Sequence, residues 1–116
     1  MEDILKQLKK LPFVDGIYLF GSRAKGTAKP YSDTDICVFA ETTKKQRMDI
    51  LKLNDKDVDV VLFNELPLSM QAAVFRDGKA LYVRKPNQLR DAKYFTIKRY
   101  LDFQHILNNH IKVILG

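Results

Sequence analysis

The sequence predicts an α+β protein built as an α/β layer, a β-sheet with helices packed on it, and a long helix near the C-terminal end. Three observations carry this. Two short runs with β-branched residues, 34–39 and 57–63, flank a stretch of helical character. The run Ile17-Tyr18-Leu19-Phe20 is apolar and aromatic and lies between Gly16 and Gly21. From Leu89 to about Leu115, apolar residues recur at helical spacing.

The elements follow in order. Ile4, Leu5, Leu8 and Leu11 recur at helical intervals and Pro12 stops the pattern, so residues 2–10 form a first helix. Four residues between glycines suit a buried strand better than a helix, which makes 17–20 the first strand. Gly21 and Ser22 form a turn, and Ser22 to Lys25 opens a brief helix whose leading amides face the loop. Gly26, Thr27, Pro30 and Ser32 give residues 26–32 the composition of a mobile loop before the second strand at 34–39. Thr42 or Thr43 caps a helix reaching about Leu53, with Met48, Leu51 and Leu53 on its buried side, and Asn54-Asp55 ends it. The third strand, 57–63, is reached by that helical crossover, so it pairs in parallel with the second. Pro67 starts a helix to about Phe75, Asp77-Gly78 turns the chain, and Ala80 to Val83 forms a short edge strand. On the last helix Ala92, Phe95, Phe103, Ile106, Leu107 and Ile114 gather on one side, which is expected to cover the sheet. Ile97 and Leu101 lie roughly opposite, either meeting another part of the core or marking a partner surface.

A chain of 116 residues fits one domain, with a core of about 13–83 and the helix over about 88–115. One cysteine, Cys37, lies in an apolar run; it excludes an intramolecular disulfide and agrees with a reducing, cytoplasmic setting. No apolar segment approaches the roughly 20 residues that cross a bilayer, which excludes a helical membrane protein. The formal charge of +6 favours anionic partners, although much of the excess sits in Arg84, Lys85, Arg90, Lys93, Lys98 and Arg99, as on a solvated helix face.

The chemistry is concentrated in residues 18–39. Asp33 and Asp35 are two apart on an extended strand and so present both carboxylates on one face. Like charges this close repel, and a hard divalent ion such as Mg²⁺ removes that cost. Asp59, among Val58, Val60 and Val61, is the third acid; Asp57 shares its face but sits at the strand start, where an aspartate is ordinarily a solvated turn residue. Three acids facing a glycine-serine anion turn suit transfer from a nucleoside triphosphate at its α-phosphorus. Gly21 and Ser22 hold the outer phosphates, while Arg23 and Lys25 neutralise their charge. Asp33 and Asp35 bridge two metal ions, and Asp59 binds the ion that activates the attacking hydroxyl.

Gly21-Ser22, ten residues from Arg23 to Ser32, and then Asp33-Thr34-Asp35 resemble the motif of the polymerase-beta-like nucleotidyltransferase superfamily. The Gly-Ser-Arg-Ala-Lys-Gly run, Ser32 before the first acid, and Val58-Asp59-Val60-Val61 are similar to the MNT group of minimal nucleotidyltransferases, many of them antitoxins. The resemblance spans about residues 13–83. It implies the nucleotidyltransferase fold, an antiparallel-to-mixed sheet with helices behind it, with ATP as cosubstrate and Mg²⁺ as cofactor. It further implies AMP transfer to a hydroxyl, a tyrosine's, on a partner HEPN-family ribonuclease toxin; nucleic acid is not required.

Other readings are weaker. Gly21 and Gly26 have the outer spacing of a P-loop, but Thr27-Ala28 stands where Lys and Ser or Thr are needed. A glycosyltransferase also uses Asp-x-Asp, in a longer fold. His105 and His110 are five apart, a poor spacing for two ligands on one helix face. Tyr31, beside Asp33, is the tyrosine placed to stack on a base. Two functional rivals stand: an antitoxin that neutralises its partner by binding alone, and nucleotidyl transfer to a small molecule or an RNA end.

Overall fold

A computed structural model describes residues 1–21, 24, 26 and 34–115, the side chains at 111 and 113–115 excepted. The described elements run α1 (Glu2–Lys10), β1 (Val14–Phe20), β2 (Thr34–Ala40), α2 (Lys44–Leu51), β3 (Val58–Leu62), a 3₁₀ turn (Phe63–Glu65), α3 (Leu68–Asp77), β4 (Lys79–Val83) and α4 (Pro86–Leu115). The strands form one mixed sheet in the order β3-β2-β1-β4. β1 is antiparallel to both β2 and β4, while β2 and β3 are parallel, as the crossover through α2 requires. The expected helix-start at 22–25 and the loop 26–32, with Tyr31, lie outside the described residues apart from Ala24 and Gly26.

Both sheet faces are covered, which is why the strands read as continuous apolar runs rather than alternating ones. Ile17, Ile36, Val38, Val58, Val60 and Leu62 pack with Ile4 and Leu8 of α1 and Ile50 of α2. The other face carries Phe20, Cys37 and Phe39 against Phe63, Val74, Phe75 and Leu89. Phe39 stacks on Phe63 with ring centroids 4.4 Å apart and sits 5.4 Å from Phe75, which fixes the 3₁₀ turn and α3 on that face. Leu8, Ile17, Ile36, Val38 and Ile50 have no exposed surface, and each contributes roughly 1.5–3 kcal/mol by leaving water.

Local signals explain the boundaries. Thr43, not Thr42, caps α2: the Gln46 amide donates to Thr43 Oγ1 at 3.2 Å and the Thr43 amide to Gln46 Oε1 at 3.0 Å. β1 begins three residues earlier than its apolar run, because Val14 and Gly16 pair with Ala40 and Phe39 across a bulge. A Cβ at Gly16 would lie 2.5 Å from Leu89 Cδ1, so the missing side chain lets α4 approach the sheet. Arg84 ties this end together, donating to Val14 O at 3.0 Å and to Asp15 Oδ1 at 2.8 Å.

Two sequence expectations are corrected. Met48 does not face the core; it is 59% exposed, and Ile50 takes the buried position of α2. The helix ends at Leu51, two residues short of Leu53, and both of those leucines are half-buried. On α4 only the start of the apolar line reaches the core: Ala92 packs against the second cluster, but Phe95, Phe103, Ile106 and Leu107 are exposed, while Leu89 and Thr96 are buried and Ile97 and Tyr100 half-buried. The helix outruns the sheet, so beyond Leu101 its periodicity meets no described element that buries it. Ile97 packs against the second core cluster, and Leu101 is exposed. Among the described residues no helix is long and apolar enough to cross a membrane.

Candidate active site

The site is assembled by strand register. Asp35 of β2 is the register partner of Asp59 on the parallel strand β3 and of Phe20 on the antiparallel strand β1. Neighbouring strands lie about 4.8 Å apart, so the end of β1, Asp35 and Asp59 follow one another in a row across the sheet. The Thr34 amide donates to Asp57 O at 2.9 Å, which locks the start of β2 beside β3. On the outer edge the Val60 amide donates to Asn54 Oδ1 at 2.5 Å, satisfying a donor that an edge strand otherwise leaves to solvent.

Alternation decides which face the acids use. Ile36 and Val38 enter one core while Cys37 and Phe39 enter the other, so Asp35 shares the face of α3. Asp59 does likewise, being out of phase with buried Val58 and Val60. Both border a cleft of about 320 Å³ lined further by Phe20, Gly21, Val61, Leu66, Met70, Ala73 and Asp77. Asp35 is half-buried and Asp59 exposed, as groups that meet a solvated ligand must be.

Gly21 closes the opposite end of the row. Its φ is +77°, a left-handed conformation that costs an L side chain roughly 1–2 kcal/mol. A Cβ there would also stand 2.5 Å from Asp35 Oδ2. The turn therefore passes directly over the carboxylate, with its backbone free to approach whatever the carboxylate holds.

Of the residues expected at the site, Gly21, Asp35 and Asp59 are brought together. Ser22, Arg23, Lys25 and Asp33 lie outside the described residues. Asp57 is exposed at the start of β3 and does not border the cleft. The structure adds residues the sequence reading missed: Met70, Ala73 and Asp77, on one side of α3. Their spacing at i, i+3 and i+7 was the available signal. Asp77 is held by Arg76, whose Nη2 is 3.1 Å from Asp77 Oδ2. His105 and His110 are exposed on α4, far along the chain from the cleft lining, and His105 Nε2 lies 3.3 Å from Asn109 Nδ2.

The donor chemistry fits a hard divalent cation. Asp35 and Asp59 supply only carboxylate oxygens, face one cleft from adjacent strands and share it with a turn too tight for a side chain. Residues 2–87 match the family of polymerase beta nucleotidyltransferases. The chain belongs to that family.

Among named relatives, the protein adenylyltransferase MntA of Shewanella oneidensis is 30% identical over 110 residues, covering 89% of this chain and 76% of that protein. The protein adenylyltransferase MntA of Aphanizomenon flos-aquae is 31% identical over 94 residues, covering 67% of this chain; the match spans 63% of that relative's length. A crystal structure of a toxin-antitoxin with AMP-PNP contains a chain of similar fold. Its TM-score is 0.74 at 26% identity, over 99% of this chain and 98% of that one.

Proposed function

We propose that this chain transfers AMP from ATP to a hydroxyl, a tyrosine's, on a partner HEPN-family toxin, and so acts as its cytoplasmic antitoxin. The observation that carries the reading is the register of Asp35 with Asp59 beside the left-handed Gly21 turn. The naming of relatives as protein adenylyltransferases and the toxin-antitoxin complex with a nucleotide analogue support it.

The residues divide the work. Gly21, with Ser22, receives the outer phosphates, and Arg23 and Lys25 balance their charge. Asp35, Asp59 and Asp33 would hold Mg²⁺, two ions in the family's manner, which when bound offset the charge of the triphosphate and acidify a nearby hydroxyl. The acceptor oxygen forms a bond to the α-phosphorus, the bond from that phosphorus to the α,β-bridging oxygen breaks, and pyrophosphate leaves with that oxygen. Asp59, at the exposed end of the row, takes the hydroxyl proton.

The test is direct. Purified chain, its partner toxin, ATP and Mg²⁺ are incubated, and the toxin's intact mass is followed. Added AMP with wild-type chain and none with Asp35→Asn is the expected result. Toxin that stays unmodified yet inhibited would establish the binding-only reading, to which the exposed apolar residues of α4 lend themselves. Product formed without any protein partner would point to a small-molecule or RNA acceptor.

A further inference from the structure

The acids occupy one end of the sheet, and the same face carries a second pocket at the other. Phe20 stands against Asp35 at the acid end, whereas Val14 stands against Ala40, five residues further along β2 and about 17 Å away. Gly16, which Leu89 overlies, pairs with Phe39, so the start of α4 lies over this end. Asp15, the end of β2, the 3₁₀ turn and α4 there border a pocket of about 340 Å³, within the range of small-ligand sites.

Its floor is apolar, with one exception. Phe39, Phe63 and Leu89 reach it from the second core cluster, and Phe39 and Phe63 are stacked. Thr96 lines it too, on the inward side of α4 at i+7 from Leu89; it has no exposed surface, and its Oγ1 has no hydrogen-bond partner among the described residues. A buried unpaired hydroxyl weakens a fold where valine, of the same shape, does not. Packing therefore gives no reason for the hydroxyl, and a ligand in the pocket does.

The walls set the charge of that ligand. Asp15 is held by Arg84 at 2.8 Å and by Lys85 at 3.8 Å, but Glu41 and Asp91 have no ion pair among the described residues, on a chain of formal charge +6. Among the described lining residues the one cation is Arg99, eight residues and about 12 Å along α4 from Asp91, which leaves the Glu41 end negative. A phosphate is repelled here, and a cation is drawn in.

We infer that this pocket binds an alkyl guanidinium. The flat cation and its aliphatic stem lie over the floor, while the carboxylates of Glu41 and Asp91, the amide oxygens of Asn64 and Gln88, and the Thr96 hydroxyl accept its N–H groups. An ammonium has fewer donors and holds its water more strongly, so it is the poorer fit over two phenylalanine rings. The guanidinium comes either on a small molecule or as the arginine side chain of a bound protein. The site stands apart from the AMP-transfer reading and does not depend on it.

The full chain, isotope-labelled at amides and methyls, is titrated with n-propylguanidinium, n-propylammonium and neutral n-propylurea. Saturable shifts centred on Leu89, Ala92 and Thr96 are expected with the guanidinium, weaker binding with the ammonium and none with the urea, while the amides of Asp35 and Asp59 stay fixed. No saturable shift, shifts centred on the acids, or equal affinity for the ammonium or the urea overturns the site. Thr96→Val is expected to weaken guanidinium binding about tenfold with the melting temperature held or raised, and Glu41→Gln, at an exposed position, to weaken it as much without unfolding the chain. Unchanged affinity in both variants, or a lower melting temperature in Thr96→Val, contradicts the assignment. Agmatine and N-acetyl-Gly-Arg-Gly-amide then separate the two sources: tighter binding of the first marks a small molecule, tighter binding of the second an arginine side chain, and binding of neither overturns the inference.

Discussion

The acid end of the sheet and the far half of α4 are opposites. At the first, two polar residues sit on strands whose neighbours are buried on both faces, so Asp35 and Asp59 inherit the rigidity of Ile36, Cys37, Val58 and Val60. At the second, Phe103, Ile106 and Leu107 follow helical periodicity as regularly as any core helix and are all exposed. Periodicity says which side of a helix is apolar; it does not say whether anything covers that side. A carboxylate in an apolar strand is the more informative signal, because desolvation makes it expensive unless it has a task.

The contrast can be broken most severely at the acids. Asp59→Asn is expected to lower AMP transfer at least a hundredfold, the scale on which a lost electrostatic contact acts. Because the residue is exposed, thermal unfolding should be unchanged within about 2 °C, well inside the shift of one lost kcal/mol. A large drop in melting temperature would make Asp59 a structural residue.

Next in size is the difference between the two apolar sets. Ile36→Ala leaves a cavity beneath Asp35 and is expected to cost about 2–5 kcal/mol in urea unfolding. Ile106→Ala, at 66% exposure, should fall within about 0.5 kcal/mol of wild type. Comparable losses at both would mean that the far half of α4 is buried in solution after all.

Gly21→Ala sharpens the comparison at the turn. The left-handed φ and the contact with Asp35 together predict a loss of roughly 1–2 kcal/mol in stability, with transfer reduced as the carboxylate is pushed aside. Retained transfer would separate the turn from the reaction.

The smallest effect is a pH slope. Burial holds the Cys37 thiol far above its ordinary value of 9.0, so the folded chain keeps a proton that the unfolded chain releases. The folded-state pKa is raised, so stability falls as the pH rises past 9.0, by up to about 1.4 kcal/mol per unit. Cys37→Ala should remove that component of the slope while costing little at neutral pH. Identical slopes in the two chains would place the thiol in contact with solvent.

Much of this was legible in the sequence. The four strands, the parallel pairing of β2 with β3, and the helices between them follow from apolar runs and turn residues, with boundaries off by a few positions. The β1 start was missed because Val14 and Asp15 join the strand through a bulge and an arginine anchor, Arg84, seventy residues away in the chain. Asp35 and Asp59 were visible as acids in apolar strands. Met70, Ala73 and Asp77 were not: their spacing marks one side of α3, and only the tertiary placement of that helix brings the side to the cleft. The exposed end of α4 was misread for the same reason.

The central claim is that Asp35 and Asp59 share one metal-nucleotide site at the end of β1. It is tested most directly by adding Mn²⁺ with AMP-PNP to isotope-labelled chain and recording paramagnetic broadening of its amide signals. The account predicts broadening centred on Gly21, Asp35 and Asp59, lost in Asp35→Asn, with the far half of α4 untouched. Broadening centred elsewhere, or unchanged in Asp35→Asn, would contradict it.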